Sequence, residues 1–423
     1  MRPSASRRRR SSPSPASGSR ASRRPRASTG STPFPATRAA RSSRRICGSR
    51  SGAGASAAST RPPGRHQRGE SDVKLSMMIN YVGDFPKSAQ QVVALEKVGL
   101  DMVWVAEAYS YDAISQIGYL AAVTSRVEIG TGIINVYSRT PALVAMTAAG
   151  CDYVSNGRFV LGLGASGPQV VEGFHGVPYE KPMQRIREYI DVCRAVWARE
   201  KPLEYEGTTV QVPLPAGRGA GLGKPLKLIN HPVRPRIPIW WASVKGLSVQ
   251  ATAEVADGWM PIFYMPEGFD AVWGASLRKG LASRDASLAP LEIMAGGMLG
   301  IDESLVGDTQ DEVLGFARSS YALYVGGMGA RGKNFYNDIC REYGYEAEAR
   351  EIQDLYLDGK KKEAAAKVPI EWLRRSNLVG SRGWVKERVA AYKAAGVTVL
   401  QVNPVGPDPV KTVETLREII DEV

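Results

Sequence analysis

From residue 74 onward, apolar and polar positions fall into a repeating alternation. Short runs rich in β-branched and aromatic residues are each followed by a stretch with apolar residues at helical spacing, the pattern of successive βα units. The runs over 75–81, 102–105 and 127–134 read as three strands, and 88–98, 114–123 and 141–153 as the helices that follow them. Pro141 suits the first turn of the third helix, where its fixed φ and missing N–H cost little. A fourth strand over 158–162 precedes a long amphipathic helix over 183–199. After a Pro- and Gly-rich insertion at 201–236 come a strand at 237–242, a helix at 248–256 and a strand at 258–263. Runs over 291–301 and 397–402 supply two more strands, and 410–423 a closing helix. Eight strands, each with its helix, predict an α/β chain folded as one (β/α)8 TIM barrel with insertions. An open doubly wound sheet is the competing architecture. The stretch 302–385 is mostly helical and is the largest departure from the alternation.

The first 72 residues do not share the pattern. They are mostly Arg, Ser, Pro, Ala and Gly, with Phe34 as the single aromatic. Such a segment buries too little apolar surface to offset chain entropy, so a disordered N-terminal tail is expected over 1–72 and the folded domain over 73–423. Composition by region also relocates the charge. The whole chain carries a formal +13, but 17 Arg and only Glu70 and Asp72 fall in the tail, leaving 38 bases against 40 acids beyond it. The body is nearly neutral, so nucleic acid is not its expected partner. For the tail itself three readings stand: an Arg- and Ser-rich transit peptide, a basic arm for nucleic acid, or translated sequence upstream of a start near Val73 or Met77. Arg without Lys suits GC-rich codons and the last reading. No apolar stretch reaches the roughly 18 residues of a membrane span, and the tail lacks the apolar core of a secretory signal. Cys47, Cys151, Cys193 and Cys340 are scattered without a CxxC, which suits free thiols in a reducing compartment such as the cytoplasm.

Four places carry candidate chemistry. The third strand, in "GTGIINVYSRTP" (130–141), holds Gly130 and Gly132, and glycine inside a strand marks a bulge or a close approach by another group. The fourth runs into "LGLGASGPQ", where Gly162, Gly164 and Gly167 match G-x-G-x-x-G. Three βα units precede that motif and a loop of about 15 residues is expected after it, so a phosphate-cradling loop at a barrel mouth suits it better than a Rossmann turn. The fifth ends in "WWASVKG", with small residues Ala242, Ser243 and Gly246 around Lys245 before a helix, a second phosphate candidate. Glu107 ends the second strand in "VAEAYSYD"; partial desolvation at the mouth would make it a proton donor or acceptor, the plainer alternative being a carboxylate that holds backbone N–H groups. Tyr81, Tyr109 and His175 are candidates for the substrate pocket. Metal chemistry is not expected, since His175 and His231 are the body's two histidines and neither belongs to an HxH or HExxH pattern.

Taken together, "VWVAEAYSYDA", "GTGIINVYSRTP", "GRFVLGLGASGPQVVEGFHG", "REYIDVCRAVWARE", "ADGWMPIFYMPE" and "LYVGGMGARGKNFYNDICREYGY" resemble the luciferase-like monooxygenase superfamily, in its branch of coenzyme F420-dependent oxidoreductases common in actinobacteria. The resemblance covers about 73–423. It implies a barrel with the deazaflavin at the C-terminal mouth, its ring against a bulge at Gly132, Ile133 and Ile134, and a non-prolyl cis peptide at 132–133. Ser138 and Arg139 would face the mouth. It further implies that backbone groups at Gly164, Ala165, Ser166 and Gly167 and at Ala242, Ser243, Lys245 and Gly246 hold the cofactor phosphate. Many relatives have a histidine where this chain has Ala108, which makes Glu107 the substitute proton donor. Lys245 stands where relatives have glycine and adds a cation. The expected activity is hydride transfer between the deazaflavin and a small organic substrate, with the cofactor's acidic tail meeting Lys224, Lys227, Arg234 and Arg236. FMN-dependent monooxygenation and a non-catalytic deazaflavin carrier are the alternatives. Relatives are often homodimers.

Overall fold

The computed structural model describes residues 73–80 and 82–423; the tail, with Cys47, and Tyr81 lie outside the described residues. Eight strands run parallel: β1 Lys74–Ile79, β2 Met102–Val105, β3 Glu128–Thr131, β4 Phe159–Gly164, β5 Ile239–Ala242, β6 Gly258–Met260, β7 Glu292–Ile301 and β8 Val399–Pro404. They pair in chain order. β8 bonds both β7 and β1, so the sheet closes into a barrel without a free edge, which rules out the open doubly wound sheet.

The helices that follow the strands are α1 Phe85–Lys97, α2 Ala113–Val123, α3 Pro141–Val154, α4 Pro182–Ala198, α5 Gly246–Val255, α6 Ala275–Ala282, α7 Arg382–Ala394 and α8 Pro409–Asp421. Local chemistry sets several of their starts. The side chains of Asp84, Asp112, Thr140, Ser381 and Asp408 accept the N–H groups of Lys87, Ser115, Leu143, Trp384 and Lys411. Each cap satisfies a donor that the helix leaves open and contributes about 1 kcal/mol.

Inside the barrel, Trp104 and Trp240 meet with ring centroids 5.0 Å apart, among Met102, Val160, Met260, Met294 and Val399. Two glycines make that layer possible. A Cβ on Gly130 would overlap the Trp104 ring, and one on Gly258 the Trp240 ring. The first of the two glycines in the third strand is therefore answered by an indole of the neighbouring strand.

Three insertions depart from the simple alternation. A short helix, Pro168–Gly173, starts directly after Gly167, where the sequence pattern suggested a long loop. A hairpin pairs Tyr205–Glu206 with Gln211–Val212 and lies against α4. Between β7 and α7, six helices and a π-helical turn build a second core around Trp372 and Ile352. Its last piece, Leu378–Gly380, adds to the end of β7. This excursion leaves and rejoins the barrel at the C-terminal end of β7, so it stands over the mouth.

The 201–236 insertion returns toward the other end. Arg234 pairs with the buried Asp152 at 2.5 Å and reaches the Phe159 carbonyl, and Arg236 pairs with Asp257 at 2.6 Å. Lys227 donates to the Glu200 carbonyl at 2.8 Å. Phe159 opens β4 and Asp257 immediately precedes β6, so these cations belong to the end of the barrel opposite the mouth. The expectation that Arg234 and Arg236 meet an acidic cofactor tail is corrected on that ground.

Among the described residues, no helix is long and apolar enough to cross a membrane, no group of three or more His, Cys, Asp or Glu could hold a metal, and Cys151, Cys193 and Cys340 are buried free thiols.

Candidate active site

β3 leaves its ladder at Thr131. After two intervening residues the chain rejoins the sheet, with Ile134 opposite Leu163 and Asn135 opposite Gly164. The bulge of Gly132 and Ile133 thus lies beside the glycine loop that ends β4, and the two strongest sequence candidates become neighbours. Ile133 packs with the barrel interior, alongside Met78 and Ala242, whereas Ile134 is buried in the outer core between sheet and helices. Alternation across the strand allows one of the pair, Ile133, to line the mouth. The Gly132–Ile133 bond is trans; among the described residues the cis bond is Val212–Pro213, which corrects the expected non-prolyl cis peptide. The room that Gly132 provides is also already used. A Cβ there would come 2.7 Å from Ala106 Cα and 2.9 Å from Met78 Sδ.

Asn135, which the sequence reading passed over, follows this bulge where the chain rejoins the sheet. Its Oδ1 accepts the Tyr137 N–H at 2.9 Å, and its carbonyl accepts the Ser138 N–H and hydroxyl at 3.2 and 2.9 Å. Its Nδ2 is buried and has no hydrogen-bond partner among the described residues. A buried amide left undonated costs about 1–3 kcal/mol, so it points to a ligand acceptor. The available signal was a polar residue inside the apolar run "GIINVY".

Glu107 and Arg139 come together, but as an ion pair. Arg139 donates to both carboxylate oxygens, at 2.5 and 2.9 Å, and the Ala113 N–H donates to one of them at 2.9 Å. Hydrogen bonding to Glu107 holds the Arg139 guanidinium above its ordinary value, against the effect of burial. Bound in this way, the carboxylate ties the loop after β2 to the loop after β3. Glu107, expected as the proton donor, thus stands in an ion pair, and Arg139 brings a compensated charge to the mouth. Ser138 spends its hydroxyl on the Asn135 carbonyl and shapes the bulge.

At the end of β4, Gly162 is required by the protein's own packing, since a Cβ there would overlap the Thr131 carbonyl, and a Cβ on Gly164 would crowd Ile133 at 3.1 Å. Ser166 adopts φ +58°, a left-handed conformation that costs a non-glycine residue roughly 1 kcal/mol or more. Tyr179 supports it by donating to the Ser166 carbonyl at 3.3 Å. Burial, then Tyr137 and Tyr336, pushes the Tyr179 phenol up to about 12, so the phenol stays a proton-bearing donor. Ala165, Ser166 and Gly167 present backbone with little side chain around it.

The loop after β5 is oriented from behind. The Trp259 and Trp273 indoles donate to the carbonyls of Ser243 and Val244 at 3.0 and 2.9 Å. Peptide planarity turns the Val244 N–H away from the Trp259 indole. The Ser243 hydroxyl bonds Thr252 at 2.8 Å and is not available to a ligand. Lys245 pairs with Asp338 of the excursion, its ammonium 5.0 Å from the Phe335 ring centre. Its charge, expected to meet the cofactor phosphate, is paired with the excursion instead. Gly246 opens α5, whose first-turn N–H groups remain available.

Tyr109 and His175 meet through Phe174, with centroids 6.1 and 5.3 Å from that ring. Tyr109, Tyr111 and Phe174 are largely exposed, so the open side of the mouth has an aromatic rim. Behind it, Phe263 holds φ +57° after β6 and packs on Tyr321 and Trp372 of the excursion, at 4.5 and 5.2 Å.

A closed barrel with a bulged third strand beside a glycine loop frames the candidate site. The chain belongs to the luciferase-like monooxygenase family, whose model matches residues 57–399. It is 39% identical over 353 residues to a Mycobacterium tuberculosis protein whose name assigns it, provisionally, to the coenzyme F420-dependent oxidoreductases; the match covers 82% of this chain and 99% of that one. It is 27% identical over 337 residues to 5,10-methylenetetrahydromethanopterin reductase of Archaeoglobus fulgidus, covering 78% and 93%. In fold it is similar to the coenzyme F420 dependent tetrahydromethanopterin reductase of Methanopyrus kandleri, with a TM-score of 0.65 and 21% identity over 83% of this chain and 99% of that one.

Proposed function

We propose that the protein is a coenzyme F420-dependent oxidoreductase acting on a small organic substrate at the C-terminal mouth of the barrel. The observation that carries this reading is the register of Ile134 and Asn135 against Leu163 and Gly164, which sets the apolar bulge beside the glycine loop. The residues present fit a planar cofactor with a phosphate. Ile133 supplies an apolar wall, the Asn135 amide a buried donor in want of an acceptor, and the loop at 165–167 a backbone surface for an anion. The first turn of α5 offers further N–H groups for the phosphate. When bound, the deazaflavin supplies a two-electron hydride carrier with little reactivity toward oxygen. The aromatic rim of Tyr109 and Phe174, with His175 packed against it, stands where an acceptor would enter. The 39% identity to a protein named for F420 dependence supports F420 over FMN.

Titration of the full chain with F420 and FMN side by side tests the reading. The expected outcome is saturable binding of F420 and a bound chromophore that does not reoxidise in air once reduced. A bound flavin that does reoxidise would establish the FMN monooxygenase instead, and tight F420 binding without turnover of any acceptor would indicate a carrier.

A further inference from the structure

A cavity of about 400 Å³ opens beside the mouth, outside the barrel axis, and no role assigned above uses it. Tyr137, Ser138, Arg139 and Thr140 form one wall, Arg185 and Tyr189 of α4 the floor, and Thr209 to Val212 of the hairpin the other side. Arg185 is its distinguishing group. The guanidinium lies 4.7 Å from the Tyr137 ring centre and also interacts with Tyr189. Both phenols are neutral, and both already donate their O–H to backbone carbonyls, Tyr137 to Glu180 at 2.8 Å and Tyr189 to Arg139 at 2.7 Å. Among the described residues, Arg185 Nε is buried without a partner and no carboxylate lies within ion-pair distance of this side chain. Arg139, by contrast, is neutralised by Glu107. A half-buried guanidinium that faces only neutral acceptors in a cavity is a site for an anion, and its planar fork suits a carboxylate.

The cavity is joined to the candidate phosphate loop by a run of contacts. Ser166 meets Tyr179, Tyr179 stacks on Tyr137 at 5.3 Å between centroids, and Tyr137 lies under Arg185. A chain leaving a phosphate held at 165–167 would cross Tyr179 and Tyr137 to reach Arg185. We infer that this cavity receives the acidic glutamate tail of the deazaflavin cofactor, with Arg185 binding a tail carboxylate. The inference rests on the proposed F420 dependence and replaces Lys227, Arg234 and Arg236, whose partners sit at the opposite end of the barrel.

Equilibrium binding to the full chain, read by fluorescence of the deazaflavin, tests it with three ligands: F420 carrying its glutamate tail, the same cofactor with the tail removed, and a free oligoglutamate peptide as competitor. The wild type should bind the tailed form about tenfold or more tightly than the tailless form, and raised salt should shrink that preference. Arg185→Met should abolish the preference, and Arg185→Lys should keep part of it, with thermal melts confirming that both variants are folded. Competition by the peptide against the tailed form alone supports the assignment. An unchanged preference in Arg185→Met overturns it while leaving F420 dependence intact. Failure of the wild type to bind either cofactor form overturns both readings.

Discussion

Arg139 engages both carboxylate oxygens of Glu107 across the mouth, and the Ala113 N–H completes the arrangement. Removing one partner of such a part-buried pair strands the other charge, so Glu107→Gln and Arg139→Gln should each lower stability by about 1–3 kcal/mol. The double variant should cost much less than the sum. A double-mutant cycle from denaturant unfolding measures this coupling, and strict additivity would show that the two side chains act separately.

Asn135→Asp keeps an oxygen for the Tyr137 N–H but removes the buried donor. If that donor serves the cofactor, F420 affinity should fall about three- to tenfold, and the rise in melting temperature on adding F420 should shrink. Equal affinity in the variant would remove Asn135 from the site.

Gly130 and Trp104 share one space. Gly130→Ala should destabilise the barrel by about 1–3 kcal/mol through overpacking. Combined with Trp104→Leu, which vacates the ring that the new Cβ would strike, it should cost less than the two changes summed. Gly132→Val is expected to fail in folding, because Ala106 and Met78 already fill the space; loss of cofactor binding in that variant would therefore not report on the ring.

Glu188 fastens the hairpin that walls the Arg185 cavity. Burial alone would raise its pKa. Donors from Thr209, Gln184 and Thr208 outweigh that effect and hold the carboxyl below its ordinary 4.5. A carboxyl lowered by folding contributes stability that is fully present above 4.5 and is lost as pH falls through the lowered value. Melting temperatures followed downward from neutral pH should drop below about pH 4.5, and Glu188→Gln should flatten part of that drop. Parallel acid profiles for wild type and variant would place the acid sensitivity elsewhere, for instance at Glu96, where backbone N–H groups of Val127, Arg126 and Ser125 overcome burial in the same way.

The βα alternation, the closed barrel, the bulge after Thr131 and the glycine-rich loop after β4 were legible in the chain, because period-2 and helical spacings and glycine placement are local properties. Strand β2 falls on the expected 102–105 run. The site's charges were not legible in the same way. Glu107 and Arg139 are 32 residues apart, Lys245 and Asp338 93, and Arg234 and Asp152 82. Each cation and carboxylate taken singly looks available to a ligand, and only the partner that the fold brings to it says otherwise.

Gly130 and Gly132 show the same division. Their presence in an apolar strand announced that something comes close to the backbone. That the neighbours are Trp104, Ala106 and Met78 depended on which strand lies alongside and at what register. The sequence by itself determined the architecture and the places where backbone must be bare, since these follow from local periodicity and sterics. The tertiary structure decided which charges are spent and which, such as Arg185, are left for a ligand. Pairing energies depend on distances that no local pattern encodes.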